Sequence, residues 1–226
     1  IMSSNLTTVD PSTTLVDAVA LMKSKGIRRL IVMSGGKMVG IVTQTNFTRA
    51  LATYLTNYPM NELFSVEKIM TKNILTVSPK DTVATGKQKM LKANVGAIII
   101  MDKKVPVGIF TEYDIVMQFY DQHGKLDMKD ISHYMRKYVR AMQKDANILE
   151  ANQLMLEKNM RRLLIVDKDK VVGIVTQTDI CRYMYAVLNQ FKKLSEAKDA
   201  DLRRFSFRAE IHGEFVQDHL KVYSVK

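Results

Sequence analysis

One cysteine and four histidines are all the thiol and imidazole ligands that 226 residues offer. The lone Cys181 excludes an internal disulfide and fits a reducing compartment, so a cytoplasmic protein is expected. Its place in a helical pattern makes it core filler rather than a reactive thiol. The histidines, His123, His133, His212 and His219, fall in connectors and the tail. None stands at zinc-ligand spacing from a cysteine, so no metal site is expected. No apolar run approaches the ~18 residues of a membrane span, and no secretory leader pattern is visible. No Ser/His/Asp order, paired carboxylates or phosphate-cradling glycine loop can be assembled, so no catalytic residues are assigned and no enzyme is expected. A basic block is also missing. The net charge of +11 is spread over the whole chain, without a run of one sign. A spread surplus is ordinarily a solvated surface. Folding could gather it on one side, which keeps an RNA-, ribosome- or DNA-binding regulator as the alternative reading.

What the chain does have is repetition. Val39-Gly40-Ile41-Val42-Thr43-Gln44-Thr45-Asn46 returns as Val107-Gly108-Ile109-Phe110-Thr111-Glu112-Tyr113-Asp114 and as Val172-Gly173-Ile174-Val175-Thr176-Gln177-Thr178-Asp179. Each copy is an apolar strand entered through a glycine, a threonine at its end, and a carboxylate or carboxamide three residues on. A helical pattern follows each copy. Met2, Met70 and Met135 precede Gly40, Gly108 and Gly173 by the same 38 residues. Between methionine and glycine come a short strand, a helix, a second strand and a turn. The unit is therefore β-α-β-β-α, about 55 residues, near the lower size limit for one core, so units should pair. The first helices carry one apolar face (Leu15, Ala18, Val19 and Met22; Val83, Gly86 and Met90; Ile148, Ala151 and Met155). We expect an α/β (α+β) chain with units at 1–58, 64–122 and 129–188. Residues 189–226 form a charged helix and then two alternating stretches, either an added hairpin or the start of a further element.

The run Ile69-Met70-Thr71, Thr76-Val77-Ser78-Pro79, Val107-Gly108-Ile109, Thr111 and Asp114 resembles the CBS domain, named for cystathionine beta-synthase, and the resemblance covers three repeats to about residue 188. It implies repeats packed in pairs with clefts between them. Repeats 1 and 3 share Arg-Arg-Leu and Val-Gly-Ile-Val-Thr-Gln-Thr, whereas repeat 2 has Val95-Gly96-Ala97-Ile98 instead of the arginines. In tandems of the family the first member often looks like repeat 2 and the second like repeat 3, so repeats 2 and 3 should form the complete pair. Repeat 1 then looks like half of another pair. Ile1-Met2 matches Ile69-Met70, so we expect the trimmed remainder of a four-repeat parent. An unpaired repeat 1 should expose apolar helix and sheet surface, and a homodimer through CBS faces would cover it.

The resemblance also implies an adenosine-type regulatory ligand (AMP, ADP, ATP or S-adenosylmethionine) and no required cofactor. Asp114 and Asp179 are acceptors suited to ribose hydroxyls. Thr43, Thr111, Thr176 and Thr178 offer hydroxyls near a helix N-terminus. Arg28 and Arg161 hold the family's phosphate-facing position, where a guanidinium can bind bidentately. Ile74 and Val139 would flank the purine. Asn46 departs from the pattern and should recognise ribose more weakly. A competing reading makes Asp114, Asp179 and Asn46 plain helix N-caps and the arginines surface charge. The regulated protein partner is not legible.

Overall fold

The computed structural model describes residues 4–55, 65–121, 127–137 and 139–196. The alternating stretches of the tail, both interrepeat linkers apart from Asp121, and His123, His212 and His219 lie outside them. The chain divides into two compact units. Unit 1 comprises Ile1–Phe64, Ile148–Arg161 and Thr176–Lys226; unit 2 comprises Ser65–Asn147 and Arg162–Val175. The α+β architecture expected from the sequence is present as three small sheets and six α-helices among the described residues.

Unit 1 contains β1 (Thr8–Val9), α1 (Leu15–Lys25), β2 (Arg29–Ser34), β3 (Lys37–Thr43) and α2 (Gln44–Leu55). β1 runs parallel to β2, and β2 is antiparallel to β3. Thr14 starts α1 by accepting from the Asp17 backbone N–H at 3.1 Å, and Gly26 stops it at φ 66°, where a side chain would be strained. The apolar spacing of α1 buries Ala18, Val19 and Met22. Ala18 and Met22 form a core with Leu30, against which Val9, Leu21, Ile27 and Val42 pack. The same unit holds two helices of repeat 3, α5 (Ile148–Glu157) and α6 (Gln177–Glu196), which pack against α1 and α2. Phe47, Leu51, Met155, Ile180, Cys181 and Met184 are buried. The buried Asn152 donates to the Thr48 carbonyl at 2.7 Å, and Lys23 Nζ stands 5.3 Å from the centre of the Tyr185 ring.

That packing corrects one expectation. The apolar helix face of repeat 1 is not left bare, because α5 and α6 cover it. The sheet side does remain exposed: Met38 is 62 %, Val39 51 % and Ile41 50 % accessible.

Unit 2 holds β4 (Thr76–Val77), α3 (Val83–Ala93), β5 (Ala97–Asp102), β6 (Val105–Thr111) and α4 (Glu112–Asp121) of repeat 2. With them lie the repeat 3 strands β7 (Ala141–Gln143), β8 (Arg162–Asp167) and β9 (Lys170–Thr176, its last residue in unit 1). The first strand of each repeat is shorter than the sequence pattern suggests, leaving Ile74 and Val139 just ahead of the paired residues. Val77, Val83, Met90, Ile98, Ile100, Phe110 and Ile131 form one core cluster. Ile131 reaches it because Gly86 is bare: a Cβ there would lie 2.7 Å from Ile131 Cδ1.

The segments that lead into repeats 2 and 3, residues 65–71 and 127–136, are exchanged. Val66 and Glu67 donate to the carbonyls of Ala146 and Lys144, and Thr71 pairs both ways with Ile174, at 2.9 and 3.0 Å. Reciprocally, Ile131 donates to Asp81, Val83 to Lys129, and Arg136 pairs both ways with Ile109, at 2.9 and 3.0 Å. Met70 and Met135 of the 38-residue frame thus each lie on the other repeat's glycine. A Cβ on Gly173 would stand 2.5 Å from Met70 Sδ, and one on Gly108 would overlap Met135 Sδ. The pairing of repeats 2 and 3 expected from their sequence types is therefore present in their strands and lead-ins. No helix among the described residues is long and apolar enough to cross a membrane.

Candidate functional site

The repeated threonine and the residue three places on form the same hydrogen-bonded hook at three strand-to-helix junctions. In repeat 3, Asp179 Oδ2 accepts from the Thr176 backbone N–H at 2.9 Å and from Thr176 Oγ1 at 2.7 Å. Thr176 Oγ1 in turn accepts from the Asp179 N–H at 3.3 Å. In repeat 2, Asp114 Oδ2 accepts from Thr111 N–H and Oγ1 at 2.9 and 2.6 Å. In repeat 1, Asn46 Oδ1 accepts from Thr43 N–H and Oγ1 at 3.0 and 2.6 Å. The strand ends and the helix begins within one residue, so the side chain bonds back across the junction and keeps its second polar atom outside the hook.

The hooks differ in that second atom. Asp179 Oδ1 accepts no hydrogen bond among the described residues. Asp114 Oδ1 accepts from Arg136 Nε at 2.9 Å, in an ion pair whose carboxylate is nearly buried. The Arg136 guanidinium also lies 5.2 Å from the centre of the Tyr113 ring. Asn46 has only one amide oxygen, and Thr43 holds it, so its outward group is Nδ2, a donor. The three junctions therefore present an open carboxylate, a carboxylate closed by an arginine, and an amide NH2.

Arg28 and Arg161 both lie in unit 1, each immediately before a strand. Their carbonyls accept from Gln44 and Gln177, the first residues of α2 and α6, at 3.1 Å in both cases. Each arginine thus stands at the helix end that carries its hook, and both are exposed. In repeat 2 the equivalent residue is Gly96, whose carbonyl accepts from Glu112 N–H at 3.3 Å and from Arg162 Nη2 at 3.2 Å.

Thr178 faces elsewhere. Its hydroxyl donates to Gln44 Oε1 at 2.9 Å, and Thr45 Oγ1 donates to Gln177 Oε1 at 3.1 Å, so the starts of α2 and α6 are bonded to each other. One residue before Asp179 on a helix means about 100° around the axis, which turns Thr178 toward α2. Ile74 and Val139 belong to unit 2 and are half-buried.

Two site features were missed from sequence. Arg136 follows the frame methionine Met135 directly, where Thr71 follows Met70; that charge in a repeated register was the available signal. The Gln44 and Gln177 amides had no signal beyond being shared by repeats 1 and 3.

The CBS domain family model matches residues 1–53, 66–121 and 129–186, most of the chain. The chain belongs to the CBS domain family. Its CBS repeats are 33 % identical over 138 residues to an uncharacterised protein, MK0525, of Methanopyrus kandleri, covering 58 % of this chain and 70 % of that one. They are 28 % identical over 190 residues to MJ1404 of Methanocaldococcus jannaschii, covering 78 % of this chain but only 44 % of the relative's length. Among solved structures, the CBS fold superposes on MJ1225 of the same organism, described as a candidate archaeal homologue of g-AMPK. The TM-score is 0.71 at 17 % identity, over 81 % of this chain and 69 % of that one. At that identity the likeness speaks for the fold alone.

Proposed function

We propose that this chain is a regulatory ligand-sensing module, without a catalytic step of its own, that binds an adenosine-type nucleotide (AMP, ADP, ATP or S-adenosylmethionine) with its ribose on the CBS hooks. The observation that carries this reading is the outward Oδ1 of Asp179. It is an acceptor whose sister oxygen is held by two hydrogen bonds, and it accepts none itself among the described residues, which suits a vicinal diol. It stands at the N-terminal end of α6, where backbone N–H groups and the helix dipole favour a negative ligand group. Arg161 at the same end supplies a fork for phosphate. In this reading Asp114 is the secondary hook, since a ribose there competes with Arg136, and Asn46 is the weakest. Within unit 2, Ile74 and Val139 offer apolar contact for a purine, and Thr43, Thr111 and Thr176 act by holding the hooks.

A sensor needs a ligand with different affinity for two arrangements of the protein. We take the working form to be a homodimer associated through CBS faces, acting on a protein partner in the cytoplasm. Calorimetric titration with AMP, ATP and S-adenosylmethionine tests the ligand reading. Binding by at least one of them is expected, and Asp179→Ala should weaken it about ten- to a hundred-fold, the worth of a charge-assisted bond. No heat from any of the three at millimolar concentration overturns it.

A further inference from the structure

Among the described residues, one hook of the three is closed by a side chain from another repeat. Asp114 Oδ1 accepts from Arg136 Nε at 2.9 Å, while Thr111 holds the other oxygen. Both carboxylate oxygens are engaged, and the carboxylate side chain is 9 % exposed against 56 % for the arginine. The backbone places this arginine. Residue 136 pairs both ways with Ile109, and Ile109 and Thr111 share a face of β6. The guanidinium also lies 5.2 Å from the centre of the Tyr113 ring, whose cation–π attraction keeps it at the junction even without Asp114. Repeat 2 has no arginine of its own here, since Gly96 stands where repeats 1 and 3 have Arg28 and Arg161. All these residues of repeat 2, and Arg136 with them, belong to unit 2. A ligand approaching this junction meets a guanidinium, with the acceptor behind it.

We propose that Arg136 is the specificity-determining residue of the repeat 2 hook: it makes that hook take adenosine-type ligands that carry a 5′-phosphate and refuse the unphosphorylated nucleoside. This rests on the nucleotide reading above and adds which members of the ligand class one hook accepts. A ribose diol can bond Asp114 Oδ1 only by displacing Arg136 Nε. A neutral nucleoside then makes one charge-assisted bond and breaks another, and it leaves the guanidinium without a counter-anion. A 5′-phosphate supplies that anion. It is joined to the ribose through one carbon, so a ligand whose diol sits on Asp114 brings its phosphate within reach of the long Arg136 side chain, whose planar fork fits phosphate oxygens. The Asp179 hook demands no such exchange, because its Oδ1 accepts nothing among the described residues. Thr71, which holds the place of Arg136 in the other lead-in, carries no charge. Arg136 is more than half exposed, so water compensates part of the lost pair. The selectivity is therefore about tenfold, below what an unpaired buried charge would bring.

The test uses the full chain with Asp179→Ala, which leaves Asp114 as the acidic hook, titrated calorimetrically with adenosine and with AMP. AMP should bind at least about tenfold tighter than adenosine. Adding Arg136→Thr frees Asp114 Oδ1, so adenosine should bind about tenfold tighter than before, and Asp114→Ala should cancel that gain. A purely structural ion pair would lower the melting temperature on Arg136→Thr without improving adenosine binding. Arg136→Met, which removes the charge but keeps the length of the side chain against Tyr113, repeats the measurement in case threonine disturbs the fold. Equal affinities for AMP and adenosine in the Asp179→Ala chain, or an adenosine affinity that neither substitution raises, overturn the role of Arg136. Nucleotide sensing then still stands if AMP, ATP or S-adenosylmethionine binds the wild type. A wild type that binds none of the three overturns both.

Discussion

Replacing Asp179 with asparagine isolates a single oxygen. Asp179 Oδ2 accepts from Thr176 N–H and Oγ1, and an amide oxygen can do the same, as Asn46 shows with Thr43 at nearly the same distances. The hook should survive. What changes is the outward atom, from a carboxylate acceptor to an amide donor. As N-caps Asn and Asp are near equals, and loss of the charge next to the helix dipole costs about 0.3–1 kcal/mol. A melting shift of only a few degrees is therefore expected. Binding should respond more strongly. A charge-assisted bond to a ribose hydroxyl contributes about 1.5–3 kcal/mol, and replacing it with a donor facing the diol should cost about ten- to a hundred-fold in affinity. Calorimetry and a thermal melt on the same preparation separate the two effects. Unchanged nucleotide affinity with an intact fold would refute the assignment of Asp179 to ribose. A melting loss of ten degrees or more would show that the carboxylate's role is structural.

The converse substitution, Asn46→Asp, should turn the donor of repeat 1 into an acceptor and strengthen adenosine-type binding there by about 1 kcal/mol, checked by titration beside wild type. Gly173→Val should destabilise the protein by about 1–3 kcal/mol in a denaturant melt, because its side chain meets Met70; a neutral outcome would show that the lead-in gives way freely. Cys181 is buried, and desolvation pushes its thiol up to about 12. Alkylation at neutral pH should be slow without denaturant. An unfolded thiol ionises near pH 9, so the unfolded state loses its proton first, and this group's contribution to stability should fall as pH rises from about 9 to 12. A Cys181→Ala variant should lack that part of the alkaline decline.

Much of the fold was legible because the chain repeats itself. The constant distance from methionine to glycine marked three copies of one unit, and the i, i+3, i+4, i+7 spacing of Leu15, Ala18, Val19 and Met22 identified a face whose last three residues are buried. The pair formed by repeats 2 and 3 was legible from their differing residues at 96 and 161. What the repeat could not convey was exchange. A fixed spacing says that Met70 and Gly108 hold equivalent places in the frame, but linear order does not say that Met70 lies on Gly173. The threonine and aspartate of each hook were visible as a motif, but their differing second partners were not. Arg136 closes Asp114 from a segment 22 residues downstream, and Gln44 draws off Thr178 from a distance of 134 residues. Such pairings depend on how helices and lead-ins meet in space. The cover over the helices of repeat 1 was missed for the same reason.

The exchanged lead-ins bear on how such a chain could have arisen. A solitary β-α-β-β-α repeat holds a methionine and a glycine socket, and in repeats 2 and 3 the one never serves the other within the same repeat. Such a unit is complete only as a dimer, and its assembly then depends on concentration. Duplication in tandem joins donor and acceptor through a short linker, such as residues 122–126 here, and raises their effective concentration to the millimolar scale. The second copy is then free to diverge. Arg136, a residue of the donated segment, now pairs with the Asp114 carboxylate of the repeat that receives it, while Thr71 in the reciprocal segment brings no charge. A lead-in can thus write on its neighbour's chemistry, so an inherited change in one repeat is expressed at the other.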